Sequence, residues 1–233
     1  KKCNLVFSAE HPIDFDDLYS PEEYLDYTID AYEKNSKFRK ERFGIERVNI
    51  LKKYKKNGML LDMGCGIGWF LEVASQSFDV CGVEISDSLR EYIYKQKGIK
   101  SFKTIDGIEN NTLDIITAFD LIEHIPRIIY IGNERREPFI MLMNEIYKKL
   151  KPNGIFLSHT PMIPFDDAFS DPTHVNPITT ETFKYFCRDK NNVVYSEILE
   201  SIKNVGFATT ANIFSKSDTA KIGGKVGWVK ETS

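Results

Sequence analysis

From Met59 onward, short apolar runs alternate with stretches whose apolar residues recur every three or four positions. Met59–Met63, Asp79–Val83, Leu113–Phe119 and Gly154–His159 are short, apolar and closed by Gly, Asp or Pro, which predicts strands. Between them, Ile67–Gln76, Ser86–Gln96 and Pro138–Leu150 carry helical spacing; in the last, Ile140, Met143, Ile146, Tyr147 and Leu150 share a face. Pro152-Asn153-Gly154 then stops that helix. Strands that are apolar on both faces and separated by helices predict an α/β fold with a parallel sheet covered on both sides.

The pattern changes at both ends. Before Met59 it is helical and charged, with helices expected over Pro21 to Lys34 and Lys37–Lys56. After His159, the Pro-, Asp- and Thr-rich run Thr160–Pro177 reads as one long loop, a feature that in a compact domain is usually functional or disordered. Thr179–Cys187 and Tyr195–Val205 read as helices, and Phe207–Phe214 and Gly223–Val229 as strands that end the sheet antiparallel. The expected organisation is a tail and cap helices over residues 1–46 and one α/β domain over residues 47–233.

Composition narrows the classes. The 233 residues suffice for one α/β domain, and 42% hydrophobic with 28% charged residues is ordinary for a soluble globular chain. A net charge of −3 provides no general attraction to nucleic acid or anionic membrane, and no apolar run nears the roughly 20 residues of a membrane span. The first residues lack the apolar stretch of a signal peptide, and Cys3, Cys65, Cys81 and Cys187 form no CxxC pair. Free, mostly buried thiols in a reducing cytoplasm are expected.

The chemistry concentrates in Leu60–Phe70, where an apolar strand runs into Gly64-Cys65-Gly66-Ile67-Gly68 and then a helix. Glycines at alternate positions permit positive φ and close approach of a ligand to the backbone, and amides at the start of a helix favour an anionic or polar group. The GxGxG spacing differs from the GxGxxG of the dinucleotide fingerprint, which disfavours a nicotinamide dehydrogenase. Asp62 ends the strand, where a carboxylate meets the amino group of an amino-acid ligand. Glu84 closes the next strand, where an acid commonly holds ribose hydroxyls. Simple capping of the two helices is the alternative for both acids.

These stretches resemble the class I S-adenosylmethionine-dependent methyltransferases. Leu61–Gly68 is similar to the superfamily's first motif and Val83-Glu84-Ile85 to its second. Phe119-Asp120-Leu121-Ile122-Glu123-His124-Ile125 resembles the fourth-strand motif of the small-molecule branch that contains the ubiquinone-type O-methyltransferases. Leu150-Lys151-Pro152-Asn153-Gly154 resembles the turn before the fifth strand. The resemblance covers about residues 47–160. It implies a Rossmann-like, doubly wound, mostly parallel seven-stranded sheet whose last strand is antiparallel, with S-adenosylmethionine as cofactor. It further implies that Asp62, Gly64, Gly66 and Gly68 line the methionine end of the cofactor. Glu84 would hold the ribose, Ile85 pack on the adenine, and Asp106 accept from the adenine amino group, with a solvated turn aspartate as the rival reading. Asp120 would face both cofactor and acceptor, and His124 would shape the cofactor pocket. The DPPY or NPPY sequence of many amino-directed nucleic-acid methyltransferases is absent.

For the acceptor, Asp120–Glu137, His159–Pro177 and the N-terminal helices should converge beyond the carboxyl ends of the strands. Ile128–Arg136 lengthens the first segment and offers Tyr130, Arg135 and Arg136 as an anion or sugar clamp, or simply as a solvated face. In the second, His174 is the candidate general base, since a histidine titrates near neutrality, and Asp171 would orient it. A histidine that only holds the loop's shape is the alternative. Asp171-Pro172-Thr173-His174-Val175 resembles a run in methyltransferases associated with bacterial surface glycans, which suggests a sugar or sugar-linked acceptor in polysaccharide biosynthesis. N- or C-methylation of a small metabolite, or a non-catalytic cofactor-binding module, remain as alternatives. Asp166, Asp167, Asp171, His159 and His174 are metal donors by type, as in sugar O-methyltransferases that use Mg²⁺. They match no compact motif, so no metal ligands are assigned. At the N-terminus, Lys1–Phe7 resembles the end of a CxxCGLVF zinc-ribbon edge, which Cys3 alone leaves incomplete, and the tyrosines of Asp14–Tyr32 are candidates for a lid or, for most of them, for ordinary packing against the cap helix.

Overall fold

The computed structural model describes residues 29–30, 33–186 and the strand 224–229. A helical stretch opens it: α1 (Ser36–Arg39), a π turn over Lys40–Gly44, and α2 (Ile45–Leu51). Then follow β1 (Met59–Met63), α3 (Trp69–Ala74), β2 (Asp79–Val83), α4 (Asp87–Lys97), β3 (Ser101–Phe102) and β4 (Leu113–Phe119). A hairpin of β5 (Ile129–Ile131) and β6 (Glu134–Arg136) precedes α5 (Pro138–Lys149), β7 (Leu150–Thr160), the short α6 (Asp167–Ser170) and β8 (Gly224–Val229).

The main sheet runs β3-β2-β1-β4-β7-β8, with parallel neighbours throughout except the antiparallel β7–β8 pair. This is the expected α/β architecture, with six strands in the main sheet among the described residues. The reversal of strand order between β1 and β4 opens a crevice at their carboxyl ends. Strand alternation fills both faces. Leu61, Ile116 and Phe156 pack with Phe139, Met143 and Ile146 of α5 on one side, while Leu60, Ile115 and Leu157 pack with Phe70, Leu71 and Ile93 on the other.

Local chemistry sets the helix ends. Ser86 caps α4, its hydroxyl accepting from the Leu89 amide at 3.3 Å, and Gly98 ends that helix in the left-handed region at φ 65°. Gly44 lets α2 approach α3 closely: a Cβ there would lie 3.0 Å from Val73.

Several expectations are corrected. The helix expected from Ile67 begins at Trp69, because Gly68 takes the left-handed conformation at φ 74° and stands outside it. Thr160–Pro177 is interrupted by α6, and the helix expected over Thr179–Cys187 is a 3₁₀ turn at Thr182–Tyr185. The lengthened segment Ile128–Arg136 forms a hairpin, turned at Gly132 with φ 60°. The expected elements Tyr195–Val205 and Phe207–Phe214, the segment Lys1–Phe7, and Cys3 and Cys187 lie outside the described residues. Cys65 and Cys81 are free and buried. No helix among the described residues is long and apolar enough to cross a membrane.

Candidate functional site

The glycine turn builds one wall of the crevice. Gly64, Gly66 and Gly68 all have positive φ, at 66°, 53° and 74°. The Gly64 and Cys65 amides donate to the Val83 carbonyl at 2.8 and 3.0 Å, which ties the turn to the end of β2. Cys65 then packs over Gly82, where a Cβ would sit 2.4 Å from its sulfur. A Cβ at Gly66 would meet nothing within 4 Å, so the backbone is open there.

Glu84 follows β2, nearly buried, and its two oxygens accept from the Gly66 and Ser86 amides at 3.0 Å each. Two strands meeting at the turn thus bring Glu84 and Gly66 together across 18 residues. Ile85 beside it is 40% exposed, an apolar surface at the crevice. Asp106 is exposed on a 3₁₀ turn (Ile105–Gly107) beyond β3, whose Ile105 is buried in the core.

Asp62 is buried and pairs in register with Thr117 of β4, whose hydroxyl donates to its Oδ1 at 2.6 Å. Burial pushes the Asp62 carboxyl up to about 7, against the opposing pull of the Thr117 hydrogen bond and the Arg47 charge. Arg47 is itself buried on α2. Its guanidinium lies 3.9 Å from the Phe119 ring centre and 5.3 Å from that of Trp69, and 3.7 Å from Asp120 Oδ2. Burial lowers its pKa, while the charges of Asp120 and Asp62 oppose that.

Asp120 follows β4 with φ 53°, its amide donating to the His159 carbonyl at 2.8 Å. Its Oδ1 stands 3.0 Å from Nδ1 of His159, at the matching end of β7. Desolvation acts to raise the Asp120 pKa, but the hydrogen bond and charge of His159, with the charges of Arg47 and Arg39, outweigh it and hold the carboxyl below the usual range.

The loop after β7 is bolted to the turn after β4. The Val175 and Asn176 amides donate to the Glu123 carbonyl at 3.0 and 2.8 Å, and the Asn176 side chain donates to the Ile122 carbonyl at 3.2 Å. Arg127 completes the joint, donating to Asn176 Oδ1 and the Pro177 carbonyl at 2.5 Å each. His174 is thereby set beside His124, with ring centres 4.9 Å apart. Glu123, buried below them, accepts from the Thr160 hydroxyl at 2.8 Å, and burial raises its pKa.

The candidate residues are therefore not all arranged as their spacing suggested. Asp171 Oδ2 lies 3.9 Å from Nε2 of His174, beyond hydrogen-bond reach, while its Oδ1 accepts from the Thr173 amide and hydroxyl. His159, grouped by residue type with His174 as a metal donor, faces Asp120 instead. Arg135 and Arg136 are exposed and paired with Glu137 and Glu134. Arg47, Thr117 and Glu123 had no assigned role. The readable signal was a polar residue inside an apolar pattern: Arg47 beside Val48 and Leu51 on one helix face, and Thr117 within Ile115–Ala118.

A family model described as a methyltransferase domain matches residues 36–208, more than half of the chain. The chain belongs to this methyltransferase-domain family. The domain's fold is similar to that of phosphoethanolamine N-methyltransferase 2 of Haemonchus contortus in complex with S-adenosyl-L-methionine. That likeness has a TM-score of 0.60 at 19% identity, covering 95% of this chain and 61% of that one. A SAM-dependent methyltransferase from Archaeoglobus fulgidus matches with a TM-score of 0.51 at 16% identity, over 83% of this chain and 98% of that one. An uncharacterized protein of Methanocaldococcus jannaschii is 26% identical over 144 residues, which is 60% of this chain and 56% of that relative. The chain thus spans little more than half the length of this curated relative. At these identities the solved structures show a shared fold.

Proposed function

We propose that this methyltransferase domain moves a methyl group from S-adenosylmethionine to a hydroxyl of a sugar or sugar-linked acceptor, such as a surface-polysaccharide precursor. Gly66 carries the cofactor part of this reading. Its backbone is open at φ 53° with nothing within 4 Å of a Cβ, and its amide meets Glu84 at the crevice. An open glycine turn after β1 and a carboxylate after β2 suit an amino-acid nucleoside better than a pyrophosphate.

In this reading Gly64, Gly66, Gly68 and Asp62 hold the methionine end, Glu84 the ribose, and Ile85 and Asp106 the adenine. S-adenosylmethionine supplies an electrophilic methyl on a sulfonium, whose departure leaves a neutral thioether. What remains for the protein is to orient the acceptor and take its proton. His159 suits the second task better than His174. Asp120 accepts from its Nδ1–H, which holds the ring in one tautomer and leaves the other nitrogen to accept the acceptor's hydroxyl proton. As that O–H bond breaks, the oxygen gains the methyl and the carbon–sulfur bond breaks. Asp120 then balances the imidazolium, as a carboxylate held ionised by its neighbours can. Residues 1–46 would cap the acceptor side.

The test is methyl transfer from S-adenosylmethionine to a panel of nucleotide sugars, amino sugars and glycan fragments, run with the native chain and with His159→Ala. The proposal expects a hydroxylated acceptor to be used and its turnover to collapse in the variant. Activity on an amine that survives in His159→Ala would overturn it in favour of N-methylation, since an unprotonated amine needs no strong base.

A further inference from the structure

We propose that Glu123, His124 and His174 form a binding site for a divalent transition-metal ion. One carboxylate oxygen of Glu123 and one imidazole nitrogen of each histidine lie within 4.8 Å of one another. From that separation, small side-chain rotations reach the roughly 2.0–2.2 Å bonds that nitrogen and oxygen ligands make to such an ion.

Glu123 is the decisive member. The residue is 2% exposed and its Oε2 accepts from Thr160, but Oε1 is buried with no hydrogen-bond partner. A buried carboxylate oxygen without a donor is costly, and a cation in the cluster satisfies it.

Both histidines are presented as ligands. His124 Nδ1 lies 3.3 Å from the Thr173 carbonyl, and His174 Nδ1 lies 3.3 Å from the Ala168 carbonyl. A carbonyl only accepts, and the Thr173 hydroxyl, 3.0 Å from His124 Nδ1, already donates to Asp171, so an Nδ1–H on each ring suits these contacts and leaves each Nε2 to bind the ion. Metal-bound histidines are commonly oriented in this way, the second nitrogen donating to a backbone carbonyl.

The backbone ties that join Glu123 to Val175 and Asn176 hold the three ligands together before any ion arrives. Two imidazoles with one carboxylate suit Mn²⁺, Fe²⁺, Co²⁺ or Zn²⁺, whereas Mg²⁺ and Ca²⁺ prefer oxygen ligands.

The test is titration of the chelator-stripped full chain with Co²⁺ alone, read by visible absorption and calorimetry. No cofactor or acceptor is present, so the result stands apart from methyl transfer. One Co²⁺ per chain is expected. His174→Ala and Glu123→Gln should each weaken binding by more than the roughly 10- to 100-fold typical of an outer-shell change, and Asp166→Asn should leave it unchanged. Thermal melting checks that the Glu123 variant folds, and His174→Ala provides an independent measure in the loop. Absence of Co²⁺ bands in the native chain, or unchanged affinity in a folded His174→Ala chain, would overturn the site.

Discussion

His159 and Asp120 face each other from the ends of neighbouring parallel strands, Nδ1 3.0 Å from Oδ1. The pairing depends on a backbone turn. Asp120 leaves β4 at φ 53°, and its amide donates to the His159 carbonyl, so backbone and side chain are both held on the same partner.

If this pair takes the acceptor's proton, His159→Ala and Asp120→Asn should each lower turnover by about 100- to 10,000-fold, the range of general-base catalysis. Calorimetry should show cofactor affinity nearly unchanged in the His159 variant. A loss of affinity as large as the loss of rate would place His159 in the cofactor site instead.

Glu84 and Gly66 should act mainly on the cofactor. Glu84→Ala removes the acceptor of two amides and the expected ribose ligand, so S-adenosylmethionine binding should become undetectable by calorimetry. Gly66→Ala meets no protein atom, but its positive φ should cost about 1–2 kcal/mol in stability, and the methyl enters the space left for the ligand. Normal affinity in both variants would remove the glycine turn from the site.

Asp62 should produce opposite pH trends in stability and binding. Its carboxyl is held near 7 in the fold against an ordinary value of 3.8, so the folded chain keeps a proton that the unfolded chain loses. That contribution is present in full below about pH 3.8 and is lost as pH rises through about 7. Asp62→Asn should therefore be more stable than the native chain at pH 8, by at most about 4 kcal/mol, and no more stable at pH 4, as chemical denaturation at the two pH values would show. Affinity for a cofactor with a cationic amino group should instead rise from pH 6 to 8 in the native chain and stay flat in the variant.

Gly82→Ala tests the packing under the turn. The added methyl would lie 2.4 Å from the Cys65 sulfur and 3.1 Å from Leu71, and overpacking of this kind costs about 1–3 kcal/mol. Chemical denaturation should show that loss, and Cys65→Ala in the same chain should restore part of it.

What the chain states locally could be read without a fold. Strands β1, β2 and β4 start and stop where their apolar runs do, because burial on both sheet faces requires an uninterrupted run. The glycine turn and Glu84 could also be read, since a positive φ and a strand-end acid are short-range demands on residue type. Tertiary structure alone decided which distant side chains meet. Strand register put Thr117 on Asp62 and His159 on Asp120, and the ties from Asn176 and Val175 put His174 beside His124 rather than against Asp171. Residue type showed that His174 and His159 could each be a base or a ligand. Only their partners, a backbone carbonyl for one and a carboxylate for the other, separated the two roles, because a histidine's chemistry is set by what its Nδ1 touches.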